Sequence, residues 1–419
     1  MDNARLRQQL RRLGLRQGTG HVRTQPRPQK QTIEELLPGE VVDTGRGAFF
    51  LHRESYESGY RHGDRALGDL LAQPPEVAAL LARDERLAVA DYQRIAFVDT
   101  ETTGLAGGTG TYAFLVGVGL FEGQRFTIHQ FFMRDYHEEP AQLQALGKLL
   151  DGMEAIVSFN GKSFDLPLLE TRFIMTRQPV PLVGAPHLDL LPAARRLWKY
   201  RLDSCALSSL ETEILGVQRT QTDVPGWLIP SLYMEYARTG DAREMPRIFY
   251  HNAQDILSLV TLTACQGTLL TAALPVDAGI PGEDLYGLGR LLQDLDQIER
   301  AEIAYDKAAR TSRSTHVREM AMRDLAYLLK RQDRRGEALA WWQRLVDTTG
   351  AVYACEELAK HHEWQDQDLS QALTWTRQGL TLAKAWPSVP KKRSTLADLQ
   401  HRLERLEHKL ELSQETVDK

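Results

Sequence analysis

Asp99 and Glu101 stand two residues apart in Phe97-Val-Asp-Thr-Glu-Thr-Thr-Gly104. The apolar run before them, Ile95-Ala-Phe-Val98, reads as a buried strand. Side chains at i and i+2 of a strand share a face, so the two carboxylates point the same way. Like charges that close resist ionisation, and a divalent cation between them reverses the sign of the interaction. The pair therefore reads as half of a metal site. Two more acids are well placed. Asp165 closes Ser158-Phe-Asn-Gly-Lys-Ser-Phe-Asp165, where a strand ends, a tight turn follows and a helix begins. Asp255 lies in Phe249-Tyr-His-Asn-Ala-Gln-Asp-Ile-Leu257, inside a long helix whose Ile248, Ile256, Leu259 and Val260 pin it to a sheet. An acid on the sheet-facing side of such a helix is costly unless paired or metal-bound. Singly, each acid has an ordinary reading: a helix cap or dipole partner for Asp165, a surface pair for Asp99 and Glu101. Their conjunction, in this order, points to chemistry.

The elements that must position them follow from periodicity. Tyr112–Leu120, with Gly117 and Gly119, reads as a strand, and Phe126–Met133 as its antiparallel neighbour across the turn Phe121–Gln124. Helix Pro140–Leu150, strand Ile156–Phe159, helix Phe164–Met175 and strand His187–Leu190 come next. Helices follow near Pro192–Trp198 and Ala206–Leu215, and then the long helix from Pro246 to about Leu270. Residues 93–270 thus predict a mixed α/β sheet flanked by helices. Residues 284–385 read as all helix. Ala301, Ala338 and Ala372 recur there in matching contexts at intervals of 37 and 34 residues, close to the tetratricopeptide period, with a generic helical bundle as the alternative. Leu396, Leu399, Leu403, Leu406 and Leu410 make 386–419 a capping helix. Residues 1–40, with Arg5, Arg7, Arg11, Arg12, Arg16, Arg23, Arg27 and Lys30, read as a mobile basic tail. Residues 41–92 read as an extension with a short β segment and a helix from Asp64 to Leu81, broken by Pro74-Pro75.

Composition narrows the class. The chain has 419 residues, 42% hydrophobic and 26% charged, which suits a globular protein of two or three domains. A formal charge of -5 gives no global polyanion-binding signature, so any such binding must be local. Cys205, Cys265 and Cys355 have no disulfide or metal spacing, which fits a reducing cytoplasm. No apolar run is long enough for a membrane span, so no membrane partner is expected.

The order Asp-x-Glu, then Phe-Asn-x-x-x-Phe-Asp, then Asp in a late helix resembles the DEDD superfamily of 3′–5′ exonucleases, which have a ribonuclease H-like fold. Within it the chain is most similar to the YprB-like (MrfB-like) group, with Asp223-Val-Pro-Gly226 in support and the helical-repeat tail included. The resemblance implies that Asp99, Glu101, Asp165 and Asp255 hold two Mg²⁺ or Mn²⁺ ions, with Asp99 bridging them. Two such cations about 3.5–4 Å apart stabilise both ends of an in-line phosphodiester displacement, and oxygen ligands favour hard cations over Zn²⁺. The group's association with DNA repair implies DNA before RNA as substrate, and a helicase partner.

The pattern departs from the superfamily in one place. A Tyr four residues, or a His five residues, before the last Asp is usual there; here His251 is four before and Tyr250 five before. On a helix the fourth residue back lies about 40° from Asp255 and the fifth about 140° away, so His251 is the expected water-orienting general base. Thr102, Thr103 and Gly104 leave little bulk beside the metals, so a nucleotide backbone can approach. Asn160 and Lys162 either touch the scissile strand or make the turn. Arg195, Arg196, Lys199 and Arg201 around Trp198 and Tyr200 suit either phosphate tracking or a solvated helix face. The expected activity is a metal-dependent exonuclease acting from 3′ ends. The alternatives are an RNA exonuclease or structure-specific endonuclease on the same acids, or a non-catalytic nucleic-acid-binding scaffold. The repeats offer a concave surface to a protein partner.

Overall fold

The run Ile95–Val98 opens strand β3 at the middle of a seven-stranded sheet, seen in a computed structural model that describes residues 30–104, 109–220, 223–272, 279–387 and 390–417. The strands are β1 (Glu40–Asp43), β2 (Ala48–Glu57), β3 (Ile95–Thr102), β4 (Ala113–Glu122), β5 (Arg125–Phe132), β6 (Ala155–Ser158) and β7 (His187–Asp189). Their spatial order is β1-β2-β5-β4-β3-β6-β7. The first five pair antiparallel, whereas β6 and β7 run parallel to β3. The mixed sheet is the one expected, with the hairpin β4–β5 in its predicted place.

Two boundaries differ from the sequence reading. The sequence reading carries the basic tail to residue 40, but α1 (Ile33–Leu36) already packs into the fold through Ile33, and β1 begins at Glu40. The arginines from Arg5 to Arg27 lie outside the described residues. Residues 41–92, set apart as an extension, supply β1 and β2 to the same sheet. Phe49 and Phe50 there alternate between two cores, which a short flanking segment gives no hint of. The helix expected over 64–81 is only α2 (Pro75–Ala82), because a β ribbon and a 3-10 turn precede it. Proline opens it at a tolerated position, and Arg83 in the left-handed region ends it.

Helices cover both faces. On one lie α3 (Glu139–Leu150) and α4 (Asp165–Met175), packing Leu143, Leu146 and Phe173 on Val98, Val116 and Val118. After α5 (Leu190–Trp198), α6 (Leu207–Leu210), a single π-helical stretch Glu211–Leu215 and α7 (Ile229–Thr239), the 27-residue α8 (Met245–Thr271) crosses the other face. It sets Ile256, Leu257 and Val260 on Phe97, Phe126 and Ile128. Its close approach depends on two glycines of β4. A Cβ at Gly117 would come 2.2 Å from Asn252 Oδ1 and 2.4 Å from Ile256 Cδ1, and one at Gly119 2.6 Å from Ile256 Cγ2. Side chains there would lift α8, and with it His251 and Asp255, off the sheet.

An all-helical region follows: α9 (Gly282–Asp294), α10 (Ile298–Thr311), α11 (Thr315–Arg331), α12 (Arg335–Thr349), α13 (Val352–Trp364), α14 (Leu369–Lys384) and α15 (Pro390–Val417). Ala301, Ala338 and Ala372 are all buried, as small residues at close helix crossings should be. In α15, Leu399 and Leu406 cover α14 through Leu380 and Leu373, so the final helix is a cap on the stack. The apolar core runs without a break from Phe97 of the sheet to Leu358 of α13.

The basic and aromatic run around Trp198 belongs to this seam. Trp198 is 1% exposed and is core. Arg201 Nε donates to Asp284 Oδ1 at 2.8 Å, Arg196 pairs with Asp294, and Tyr200 packs edge-on against Tyr286. A Cβ at Gly287 would meet Leu197 O at 2.2 Å, so α9 lies directly on α5. These residues join the two regions, which corrects the phosphate-tracking reading for Trp198, Arg196 and Arg201.

Gly117→Ala should destabilise the fold by about 1–3 kcal/mol through overpacking, whereas Gly152→Ala, with open space around it, should stay within about 0.5 kcal/mol. Urea unfolding of both variants checks this; equal midpoints would remove the glycine contact as the reason α8 sits where it does.

Candidate metal centre

Each acid reaches the site by a different local device. Asp99 and Glu101 sit near the end of β3, before a register shift between Glu101 and Thr102. Asp165 opens α4 after the turn at Asn160-Gly161. Asn160 takes a φ of 65°, a left-handed conformation that Asn tolerates better than most residues. A Cβ on Gly161 would come 2.3 Å from Ser158 Oγ and 3.2 Å from Asp165 Oδ2, so no larger residue fits beneath the acid. Asp189, at the end of β7, accepts the backbone N–H of Asn160 at 2.7 Å and of Lys162 at 3.3 Å, and caps α5 through Leu191 N. The backbones of Asn160 and Lys162 therefore make the turn. The hydroxyl of Thr102 donates to Gly104 O at 2.9 Å, and that of Thr103 accepts from Tyr112 N at 3.0 Å, so both fold the strand end back on itself.

Helix α8 brings the remaining groups. Asn252 is fully buried and donates to Asp99 Oδ2 at 2.8 Å, while Gln130 donates to Asn252 Oδ1 at 2.9 Å and to Phe249 O at 2.8 Å. This chain of amides fixes Asp99 against the helix. His251 Nε2 lies 3.6 Å from Asp255 Oδ2 and 4.0 Å from Glu101 Oε1. Glu101, His251 and Asp255 each offer a ligand atom within 4.8 Å of the others. Asp165 accepts from the hydroxyl of Thr100, the residue between Asp99 and Glu101. The five residues singled out from the sequence thus gather at one end of β3. Tyr250 does not join them: its hydroxyl accepts from Thr220 N at 3.2 Å, as its angular offset on the helix predicts.

Burial pushes the Asp99 carboxyl well above its usual range, and the charges of Asp255 and Asp165 push it further, against the Asn252 hydrogen bond. Burial first, then Asp99, Asp255 and Asp165, do the same to Glu101. Asp165 is also raised by burial, with the Thr100 hydrogen bond opposing. Half-buried carboxylates that repel one another suit a hard divalent cation such as Mg²⁺ or Mn²⁺. Glu101, His251 and Asp255, whose ligand atoms converge, could hold such an ion.

Sequence reasoning missed four participants. Asn252 and Gln130 gave no signal beyond polar positions in apolar patterns. Glu211 reads as one polar position of the expected helix Ala206–Leu215, and Arg219 as part of the polar loop after it. Arg219 donates to Glu211 Oε2 at 2.8 Å and Oε1 at 2.6 Å, pairs with Asp255 Oδ1, and approaches Asp223 Oδ2 at 3.4 Å. Asp223, quoted above only for its turn, lies with Oδ1 2.8 Å from His251 Nδ1.

Residues 96–265 match the family model RNase_H_2, described as RNase_H superfamily. The YprB protein of Bacillus subtilis (strain 168) is 31% identical over 291 residues, covering 68% of this chain and 68% of that protein. The family B DNA polymerase of the archaeon Pyrobaculum calidifontis aligns at 16% identity and a TM-score of 0.33, over 48% of this chain and 29% of that one. A score that low carries no argument. Among the described residues, no helix is long and apolar enough to cross a membrane.

The raised carboxyl groups set a pH dependence. A group whose folded pKa stands above its unfolded value adds stability below the unfolded value and loses it as pH rises through the folded one. In chelator, the thermal midpoint should therefore fall as pH rises above the ordinary Asp and Glu values of 3.8 and 4.5, and Asp99→Asn should flatten that fall. Midpoints across pH for both proteins check this; parallel curves would contradict it.

Proposed function

We propose that this chain, which belongs to the YprB family and carries an RNase H superfamily domain, is a divalent-metal-dependent exonuclease that removes nucleotides from 3′ ends, of DNA rather than RNA. The observation that carries the reading is the convergence of Glu101, His251 and Asp255 within 4.8 Å, beside a half-buried Asp99 and with Asp165 tied to the same strand. A four-carboxylate cluster of this kind has no structural use that an apolar core would not serve better. Surface chemistry does not need it either, since Asp99 is held by a buried amide.

Asp99, Glu101, Asp165 and Asp255 are the proposed ligands. Bound there, a pair of Mg²⁺ or Mn²⁺ ions supplies positive charge for the oxygens of a scissile phosphodiester and acidifies water. The remaining work falls to the chain. His251 turns Nε2 toward Glu101 and Asp255, with Nδ1 on Asp223, and so can take a proton at Nε2 from a water in that space. Asp223 orients the ring, as a carboxylate on the far nitrogen of an imidazole does. The folded-back end of β3 at Thr102, Thr103 and Gly104 keeps the approach narrow, and Asn160 and Lys162 border it beside Asp165. Phe164 and Trp227 are exposed on flanking turns, where apolar rings can meet bases.

We read the helical region as tetratricopeptide-like hairpins whose surface takes a protein partner, a helicase in keeping with DNA repair. Its continuous core with the sheet would hold that partner at a fixed distance from the cleft.

Incubation with 5′-labelled DNA and RNA strands in Mg²⁺, Mn²⁺ or chelator tests the reading. Ladders that shorten from the 3′ end, faster on DNA and absent in chelator, are expected. Alanine at Asp99, Glu101, Asp165 or Asp255 should slow release by about 10²–10³-fold or more. His251→Ala should cost about 10²–10⁴-fold, and Tyr250→Phe almost nothing. Mid-chain cuts, or strand binding with no release in any metal, would overturn it.

A further inference from the structure

Arg219 stands inside the acid cluster, and its guanidinium spends most of its N–H groups on it. Nε and Nη2 form a parallel fork on Glu211, at 2.8 and 2.6 Å. The second Nη2 hydrogen goes to Asp255 Oδ1. Nη1 reaches Asp223 Oδ2 at 3.4 Å and lies 3.1 Å from His251 Nδ1, whose N–H is given to Asp223. Four of the five N–H groups of the guanidinium thus meet carboxylate oxygens. The fork is anchored from below. The Glu211 side chain is 2% exposed and accepts from Ser258 Oγ at 2.5 Å, and Ser258 in turn lies 2.7 Å from His62 Nε2. Ser258 is on α8 itself, less than one turn beyond Asp255. The neighbourhood fixes Arg219 from the Glu211 side, and its other contacts run to Asp255 and Asp223.

Asp255 is thereby divided. One oxygen is taken by the guanidinium, and the other faces His251 and Glu101. A divalent ion drawing on Asp255 would meet a fixed positive charge within hydrogen-bonding distance of its own ligand. An arginine cannot relieve that repulsion by losing its proton, because its pKa lies far above neutral and these acids raise it further.

We infer that Arg219 is a resident counter-cation of the metal centre: it neutralises Asp255 when no divalent ion is held, and must leave that oxygen, keeping its fork on Glu211, before an ion can use it. Arg219 is thus a positioning residue that weakens ion binding and keeps the empty cluster folded. The inference rests on the metal-binding part of the reading above and not on hydrolysis.

The test measures Mn²⁺ affinity by calorimetry on the full chain, with thermal midpoints in chelator and in saturating Mn²⁺, for wild type, Arg219→Gln and Arg219→Lys. Arg219→Gln should bind Mn²⁺ at least about tenfold tighter, equivalent to about 1.4 kcal/mol. Its midpoint should fall below wild type in chelator and recover in Mn²⁺. Arg219→Lys, which keeps the charge, should stay close to wild type in affinity. Unchanged or weaker Mn²⁺ binding in Arg219→Gln would overturn the inference. So would a midpoint lowered equally with and without Mn²⁺, or a variant that folds in neither condition, since each makes Arg219 a structural prop. Loss of strand hydrolysis with these metal results intact would instead count against the exonuclease reading alone.

Discussion

The structure turns on a conflict that one helix imposes. Helix α8 must lie flat on the sheet to bury Ile256, Leu257 and Val260, and the same helix carries Asp255 and His251 at the end of the interior strand β3. Burying apolar surface is favourable and burying a carboxylate is not. Gly117 and Gly119 settle how close the helix comes, and the Gln130–Asn252–Asp99 chain settles its rotation. The acids are therefore held where water cannot fully screen them.

That placement makes charge compensation the governing electrostatic problem. Asp99, Glu101 and Asp165 are each pushed toward the neutral form, and burial is the largest cause in every case. Counter-charge has to come from somewhere if they are to stay ionised. Arg219 supplies a guanidinium, and the oxygen-rich face of the cluster suits ions from solution. Glu211 matters because it holds that guanidinium from outside the cleft. It is itself raised by burial, and Arg219 opposes the shift.

The helical region is continuous with this framework. Helix α9 meets α5 backbone to backbone at Gly287, and Arg201 and Arg196 reach across to Asp284 and Asp294. Helix α5 begins at Leu190, directly after the Asp189 that shapes the Asp165 turn. A load placed on the helices would thus act on an element next to the site. The basic and aromatic residues of that stretch give the seam both its packing and its ion pairs.

Much of this was legible in the sequence. The strand before Asp99, the shared face of Asp99 and Glu101, the hairpin of β4 and β5, the placement of Asp165 at a helix start and of Asp255 beside His251 all follow from periodicities of two and 3.6. So does the preference for His251 over Tyr250, because angular position on a helix is a local property. The recurrence of Ala301, Ala338 and Ala372 likewise announced close helix crossings. What stayed hidden depends on contacts between segments far apart in the chain. Nothing local tells that β1 and β2 complete the sheet, that Arg196, Trp198, Tyr200 and Arg201 form a seam, or that Glu211, Arg219 and Asn252 meet the acids. Local spacing fixes which way a side chain points from its own element, so the chain alone determined the ligand-bearing faces. Which distant charge or amide answers each of them is set by how the elements pack, and only the tertiary structure decided that.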